Sequence, residues 1–225
     1  MRVLVTGHNG YIGSVMVPLL QKAGHQVIGL DTYLFSDCTI GPDGGAPFVA
    51  RHGDIRDVTV ADMAGIDAVI HLAGISNDPL GDLNAECTYD INHQASVHLA
   101  RTAKAAGVSR YIFSSSCSLY GSSGEDYIDE SADFNPVTPY GWSKINTEQD
   151  VAPMADDDFS PTFMRSSTAY GFSPRLRADL VVNNLVGFAY LDGEALIKSD
   201  GSPWRPLVHS VDISRAFLAV LEAPR

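Results

Sequence analysis

The stretch "VTGHNGYIG" at residues 5–13 decides the fold class. It follows a short β-branched strand, "RVLVT", and opens a helix that the apolar spacing predicts over Tyr11–Lys22. Gly7, Gly10 and Gly13 therefore lie at a strand-to-helix turn, spaced GxxGxxG. Glycine permits a tight turn and the close approach of backbone to phosphate, and a helix N-terminus supplies free N–H groups. The pattern favours a nucleotide-binding loop, with a plain turn as the alternative.

Strands and helices alternate along the rest of the chain. We predict strands at His25–Asp31, 46–54, Asp67–Gly74, 110–116 and 160–167, and helices at Leu83–Ala106 and 140–151. This alternation implies βαβ units and an α/β fold of the Rossmann type, with a doubly wound parallel sheet. We expect residues 1–172 to form a dinucleotide-binding domain. Residues 173–225 are then part of a small C-terminal substrate-binding lobe interleaved with that domain.

The composition is that of a globular protein, with 45% hydrophobic and 19% charged residues among 225. Three widely spaced cysteines predict neither a disulfide framework nor a metal site. The net charge of −12 argues against nucleic acid or a membrane as a partner, because anionic phosphate surfaces require clustered Lys and Arg. It is compatible with an anionic small molecule, since a few loop amides and one arginine can bind a pyrophosphate. The N-terminus has no signal-peptide pattern, which favours the cytoplasm.

Two carboxylates stand where strands are predicted to end. Asp31 lies 18 residues after Gly13, and a carboxylate near this distance can accept hydrogen bonds from the ribose hydroxyls of an adenosine. Neither Arg nor Lys occurs in "LDTYLF", which favours NAD over NADP; the alternative is an Asp that caps a turn. Asp54, in "HGDIRD", can reach an adenine amino group with Ile55 packed on the ring, and an ordinary loop Asp is the alternative.

Tyrosine, lysine and serine supply a possible catalytic group. Tyr140 and Lys144, in "YGWSK", are four residues apart and share one helix face. An ammonium beside a phenol lowers the phenol pKa, so that tyrosine can act as a base near neutral pH, although YxxxK alone is common by chance. Ser114-Ser115-Ser116 ends the fifth predicted strand, at the edge where ligands bind in an open α/β sheet. A serine-rich turn is the alternative there.

In combination, these features resemble the extended short-chain dehydrogenase/reductase family, which includes NAD-dependent nucleotide-sugar epimerases and dehydratases. The resemblance covers nearly the whole chain and rests on eight motifs in the family's order: "TGHNGYIG", Asp31, "GDIRD", "HLAG", "DIN", "FSSSCSLYG", "PYGWSK" and "RPLVHSVDI". It implies NAD as the cofactor and a nucleotide-diphosphate sugar as the substrate. It also implies a homodimer formed through the helices that contain Asn92 and Tyr140.

The resemblance implies roles for individual residues. The catalytic residues are Ser116, Tyr140 as the acid/base, and Lys144, which also holds the nicotinamide ribose. The cofactor contacts are Gly7, Gly10, Tyr11, Ile12, Gly13, Asp31, Asp54, Ile55, Leu72, Ala73, Gly74, Asn92, Tyr140 and Lys144. The substrate contacts are Ser116, Asn183 and Arg205, with Arg205 on the diphosphate.

The implied reaction is oxidation at C4 of a nucleotide-linked sugar, completed in an epimerase of the UDP-glucose 4-epimerase kind by return of hydride to the opposite face. The alternatives are a net 4-dehydrogenase or 4-keto reductase and, in another class, a non-catalytic NAD-binding protein. Family dehydratases tend to carry an Asp-Glu pair after the catalytic hydroxyl, where this chain has Cys117-Ser118, so a 4,6-dehydratase is not expected. Where epimerases commonly read "RYFN", this chain has Arg165-Ser166-Ser167-Thr168, which removes an expected Asn.

Overall fold

Short β-branched and aliphatic runs form a six-stranded parallel sheet at the centre of the protein. The structure is a computed structural model that describes residues 1–42, 44–76, 78–121, 127–197, 199–201 and 204–224. The strands are β1 (Arg2–Thr6), β2 (Gln26–Asp31), β3 (Val49–His52), β4 (Ala68–His71), β5 (Arg110–Ser116) and β6 (Ser160–Ser166). Their order is β3-β2-β1-β4-β5-β6, and every neighbouring pair is parallel. The order reverses between β1 and β4, the place where doubly wound sheets bind ligands beyond the carboxyl ends of their strands.

Helices cover the sheet and connect its strands. They are α1 (Gly13–Lys22), α2 (Asp78–Leu83), α3 (Ala85–Tyr89), α4 (Ala95–Ala105), α5 (Pro139–Val151), α6 (Val181–Asp192) and α7 (Ser210–Glu222). A π-helical turn, Asp90–Gln94, joins α3 to α4. The predicted α/β fold of the Rossmann type is thus confirmed. Among the described residues, no helix is both long and apolar enough to cross a membrane.

The core has two halves because successive strand side chains point to opposite faces of the sheet. In β5, Tyr111 and Phe113 enter one cluster with Leu99 of α4, while Ile112 enters the other with Met16 of α1 and Phe217 of α7. All six side chains are at most 1% exposed. The central strands of the sheet are therefore buried on both faces, and the carboxyl edge of the sheet carries the loops described below.

The strand predicted at Asp67–Gly74 is shorter in the structure, Ala68–His71, and three other predicted boundaries were wrong for a local reason. The helix predicted over Leu83–Ala106 is interrupted at Asn84, which is extended at φ −151° and caps α3 by accepting a hydrogen bond from the Cys87 N–H. The strand predicted at 46–54 shortens at its start because the Ala46 N–H binds the Gln21 side chain of α1. The first helix begins at Gly13 rather than Tyr11, with Ile12 as its N-cap.

The last quarter of the chain contributes to the main body and also adds a small sheet. β7 (Thr168–Tyr170) pairs in parallel with β8 (Leu207–His209), which the sequence did not predict. α7 packs its apolar face on α1 and the main sheet. By contrast, none of the twelve described residues of α6 is buried.

Candidate active site and cofactor-binding site

The glycine-rich loop lies at the reversal in strand order, between β1 and α1. Gly7 has φ +72° and donates its N–H to the Leu30 carbonyl at 2.9 Å; a Cβ built there would lie 2.7 Å from the Ala73 nitrogen. A Cβ on Gly13 would lie 2.6 Å from the His8 carbonyl oxygen and closer still to that of Gly7. Both positions therefore require glycine because other backbone segments pass directly against them.

Gly10 differs from the other two glycines. A Cβ built on it would meet a single atom of the described chain within 4 Å, the Gly7 carbonyl oxygen at 3.2 Å. The protein's own packing does not explain glycine here, whereas a ligand that approaches the backbone does. Within the described residues, no side chain caps α1 and no acidic residue lies in its first turn. Its N-terminus can thus receive an anion, so the loop fits the pyrophosphate of a dinucleotide.

Asp31, at the end of β2, organises the rim of this loop. Its two carboxylate oxygens accept hydrogen bonds from the Asn9 N–H at 2.9 Å and the Tyr33 N–H at 2.8 Å. Tyr33 has φ +55°, a conformation that this carboxylate helps to hold. A carboxylate has about four acceptor positions, so Asp31 can still accept from a ribose hydroxyl.

The segment after β3 carries the predicted adenine contacts. Asp54 caps a short 3₁₀ helix and pairs with Arg56 at 2.8 Å, and the hydrogen bonds from Arg56 lower the pKa of Asp54. Asp54 also borders a pocket of about 190 Å³ together with Leu30 and Gly53. The Ile55 side chain is 5% exposed and belongs to the core beneath the sheet. A contact of either residue with adenine stays a prediction.

Residues after β4 face the glycine-rich loop. Leu72 and Ala73 are half-buried beside Gly7, and Gly74 is exposed. Asn92, in the π-helical turn, holds Ile75 through two hydrogen bonds. Its amide oxygen accepts from the Ile75 N–H at 2.7 Å, and its NH₂ donates to the Ile75 carbonyl at 2.8 Å. A Cβ on Gly74 would lie 2.8 Å from the Asn92 amide oxygen, so the two residues depend on each other. Asn92 thus shapes this loop from within.

Tyr140 and Lys144 lie one turn apart on α5. The helix starts with Pro139 after the Thr138 cap, whose hydroxyl accepts from the Gly141 N–H at 3.2 Å. The Lys144 ammonium is 5.5 Å from the centre of the Tyr140 ring and donates to the Ser114 carbonyl at 2.8 Å. Burial lowers the pKa of Lys144 to about 8, an effect that the Glu148 carboxylate opposes. The structure therefore brings a buried cation next to the predicted acid/base.

The three serines that end β5 have different partners. The Ser114 carbonyl holds Lys144, the Ser115 hydroxyl donates to Glu148, and the Ser116 hydroxyl donates to Ser118 at 3.0 Å while accepting from its N–H. Ser116 is 9% exposed and lies at the carboxyl end of the strand. Strand β5 and helix α5 thus carry the predicted triad toward the same edge of the sheet.

The predicted substrate contacts differ in their surroundings. Arg205 is exposed, and its positive charge lowers the pKa of Cys117, although burial raises that pKa more strongly. Asn183 is engaged within the protein: its amide oxygen accepts from the Gly171 N–H at 2.9 Å, and its NH₂ donates to the Tyr11 hydroxyl and the Arg177 carbonyl. The Tyr11 hydroxyl donates in turn to the Gly171 carbonyl at 2.7 Å.

Sequence reasoning missed a buried cluster beneath the triad. Glu148 follows Lys144 by four residues, a helical spacing that could have drawn attention to it. Arg165, named above only as the first residue of the segment that otherwise departs from "RYFN", makes an ion pair with Glu148 at 2.6 Å. His71, which the sequence favours as a structural histidine of a strand, is fully buried between the hydroxyls of Thr6 and Ser96, and burial lowers its pKa to about 3.

Comparison with known proteins decides the family. The sequence profile of the NAD dependent epimerase/dehydratase family matches residues 3–225. The chain belongs to this family. The predicted family and NAD as the cofactor are thereby confirmed, as is the prediction of an enzyme.

Several proteins of known name or structure are similar to this chain. A UDP-glucose 4-epimerase of Neisseria meningitidis serogroup C is 30% identical over 255 residues, covering 99% of this chain and 73% of the relative. MoeE5, solved with UDP-glucuronic acid and NAD, is 30% identical, with a TM-score of 0.86 and coverage of 100% and 73% of the two chains. A UDP-glucose-4-epimerase from Stenotrophomonas maltophila, solved with NAD and formylated UDP-arabinopyranose, is 28% identical, with a TM-score of 0.85 and coverage of 99% and 74%.

Proposed function

We propose that this chain is a nucleotide-sugar 4-epimerase that uses NAD to interconvert C4 epimers of a UDP-linked sugar. The observation that carries the proposal is the placement of Tyr140 and Lys144 on one face of α5, beside the strand that ends in Ser116. The glycine-rich loop occupies the same carboxyl edge of the sheet. The UDP-sugar epimerases and UDP-sugar complexes among the similar proteins support the substrate class.

In this mechanism Tyr140 is the group that moves the proton. Its phenolate removes the proton from the C4 hydroxyl of the sugar, and its phenol returns the proton when the hydroxyl re-forms. NAD, which the glycine-rich loop would hold, would supply the acceptor and the donor of the C4 hydride, so that the reaction would have no net redox change. Lys144 supports the phenolate through its nearby positive charge, because an ammonium lowers the pKa of an adjacent phenol. Ser116 orients the C4 oxygen by a hydrogen bond.

The residues after Ser116 favour an epimerase over a 4,6-dehydratase. A dehydratase needs an acid that protonates the departing hydroxyl, and neither Cys117 nor Ser118 carries a carboxylate. Burial raises the pKa of the Cys117 thiol, which makes it a poor proton donor. We therefore assign the keto-sugar a single fate in this site, which is re-reduction.

Substrate phosphate contacts are assigned to one arginine. Arg205 is exposed and lies near enough to the end of β5 for its charge to lower the pKa of Cys117, so we assign the diphosphate of the substrate to this arginine. The amide of Asn183 already makes three hydrogen bonds within the protein, so its predicted phosphate contact requires that one of them be exchanged. The division of the chain at residue 172 into a cofactor domain and a substrate lobe remains a prediction.

The experiment that tests this proposal is an assay of UDP-glucose and UDP-galactose interconversion by Tyr140→Phe. We expect at least a 10²-fold loss of turnover, because general acid–base groups contribute about 10²–10⁴-fold, with NAD affinity kept. Tyr127→Phe is the matched control, since Tyr127 is 95% exposed and its hydroxyl change leaves the site intact. Equal turnover in wild type and Tyr140→Phe would exclude the catalytic role. Accumulation of NADH would instead indicate a net dehydrogenase.

The proposal also covers the oligomeric state and the cellular location of the protein. We propose a homodimer formed through the helices that contain Asn92 and Tyr140, which light scattering of the purified protein can test. A monomeric mass at assay concentration would contradict it. We also propose the cytoplasm as the location, which fractionation of the source cells can test; recovery of the protein outside the cytoplasmic fraction would contradict it.

A further inference from the structure

A buried carboxylate lies one helical turn beyond Lys144. Glu148 is 6% exposed and shares a face of α5 with Tyr140 and Lys144, since the three follow one another at intervals of four residues. The Ser115 hydroxyl donates a short hydrogen bond to Glu148, and Ser115 lies between the serine whose carbonyl holds Lys144 and the predicted catalytic Ser116. Glu148 is therefore tied to the strand segment that forms the site.

Arg165 approaches the same carboxylate from the neighbouring strand. It pairs with Ser115 in the β5–β6 register, and its Nε and Nη2 atoms donate to Glu148, the latter at 2.6 Å. Its third nitrogen, Nη1, donates to the Tyr120 hydroxyl at 2.7 Å, and its guanidinium lies 5.0 Å from the centre of the Phe134 ring. One arginine thus joins the helix, two strands and the segment that follows Ser116.

The charges around Lys144 make this cluster relevant to chemistry. The titratable groups that act on or contact the ammonium are Tyr140 and Glu148 from α5 and His71 from β4, and Arg165 from β6 adds its charge through the ion pair with Glu148. His71 is held neutral by burial, which lowers its pKa to about 3. Glu148 is the one carboxylate among these four groups, and its charge raises the pKa of Lys144.

We propose that Glu148 and Arg165 are positioning residues for the active site. The Glu148 carboxylate holds Lys144 in its charged form and joins α5 to the end of β5. Arg165 partly neutralises the Glu148 carboxylate through their ion pair and fixes the position of the Glu148 side chain. The inference rests on the proposed function of Lys144, because it concerns how Lys144 is supported. It also gives a reason for the arginine at position 165, where the remaining residues of the "RYFN" pattern are absent.

The two residues act on Lys144 with opposite signs. Glu148→Gln removes a negative charge near the ammonium and leaves the Arg165 cation behind, so the pKa of Lys144 falls. Arg165→Gln removes the cation and leaves the anion, so the pKa of Lys144 rises. For charges several ångströms apart in a medium of effective dielectric about 20–40, each shift is about one pH unit. A merely structural role moves both variants in the same direction or moves neither.

The experiment is an NMR titration of the protein labelled with ¹³C at lysine Cε, without cofactor or substrate. The chain has four lysines, so the Lys144 signal can be assigned by its loss in Lys144→Arg. We expect a pKa of about 8 in the wild type. We expect a lower value in Glu148→Gln and a higher value in Arg165→Gln. Asp150→Asn is the matched control, because Asp150 is a half-exposed carboxylate of the same helix that pairs with His93, and it leaves the Lys144 pKa unchanged.

Shifts of the same sign in the two charge variants, or no shift in either, would overturn the proposal. If one variant does not fold, the sign of the shift in the other still decides. Because the titration needs no turnover, its result stands whether or not the epimerase assay succeeds. In the active enzyme, the alkaline limb of the pH–rate profile moves down in Glu148→Gln and up in Arg165→Gln.

Discussion

Alanine substitutions at Gly10 and Gly13 distinguish a cofactor-binding loop from an ordinary turn. A methyl group on Gly13 would lie 2.6 Å from the His8 carbonyl oxygen and 2.7 Å from the His8 carbonyl carbon. These are backbone atoms that no side-chain rotation can move, so the loop must shift. Overpacking of this kind costs about 1–3 kcal/mol in the free energy of unfolding. In a chain of this size, each kcal/mol lowers Tm by about 2–4 °C.

Gly10→Ala has a different expected outcome. The added methyl meets one carbonyl oxygen at 3.2 Å, which a displacement of a few tenths of an ångström relieves. Alanine also restricts the unfolded chain, which stabilises by about 0.4–1 kcal/mol, so we expect a net change in the free energy of unfolding close to zero. The same methyl occupies the space through which a pyrophosphate approaches the loop, so NAD affinity falls at least tenfold, which is about 1.4 kcal/mol.

Two measurements on the two variants test this reasoning. Urea unfolding gives the free energies, and isothermal titration with NAD gives the dissociation constants. If Gly10→Ala binds NAD as tightly as the wild type, the loop is a turn and not a pyrophosphate site. If Gly13→Ala is as stable as Gly10→Ala, the steric account of the loop is wrong.

Further predictions concern buried groups. Lys144→Met abolishes turnover and raises the free energy of unfolding at pH 7 by up to about 3 kcal/mol. The reason is that burial lowers the pKa of the wild-type lysine to about 8, so its folding carries a cost that is relieved only as the pH rises from 8 toward 10.5. Urea unfolding at several pH values checks this, and a pH dependence equal to that of the wild type would contradict it. Wild-type stability falls by about 2 kcal/mol between pH 6.5 and pH 5 on account of His71, because only the unfolded state takes up a proton there. His71→Gln, whatever its stability at pH 7, lacks this part of the slope, and an equal slope in both proteins would refute the assignment. Asn183→Ala lowers the free energy of unfolding by about 2 kcal/mol through its three lost hydrogen bonds, which thermal unfolding measures; unchanged stability would contradict it, and a separate rise in KM would support the predicted phosphate contact.

The fold was predictable wherever one signal was strong over several residues. β1, β2 and β5 contain apolar or β-branched runs, and the parallel sheet follows from the alternation of strands with helices. The break at Asn84 was not predictable from periodicity, since Leu83, Cys87 and Ile91 continue the i+4 pattern across it. A capping side chain prevailed over the apolar repeat there. The three-residue strands β7 and β8 are too short for any periodic pattern to indicate.

The candidate site was predictable as a set of residues but not as a network of contacts. Tyr140, Lys144 and Ser116 follow from helix and strand geometry, which local sequence determines. The ion pair between Glu148 and Arg165 depends on β6 lying beside β5, a tertiary fact that spacing along the chain does not reveal. The hydrogen bond from Asn183 to the Tyr11 hydroxyl joins residues 172 positions apart, so the sequence does not reveal it either.

The most direct test of the proposed function follows the hydrogen at C4. The purified protein with NAD is given UDP-glucose deuterated at C4, and the products are analysed by NMR and mass spectrometry. The account predicts UDP-galactose that keeps deuterium at C4, with no net accumulation of NADH, because the same hydride leaves and returns. Loss of the label to solvent, or NADH that accumulates with a keto-sugar product, would contradict it.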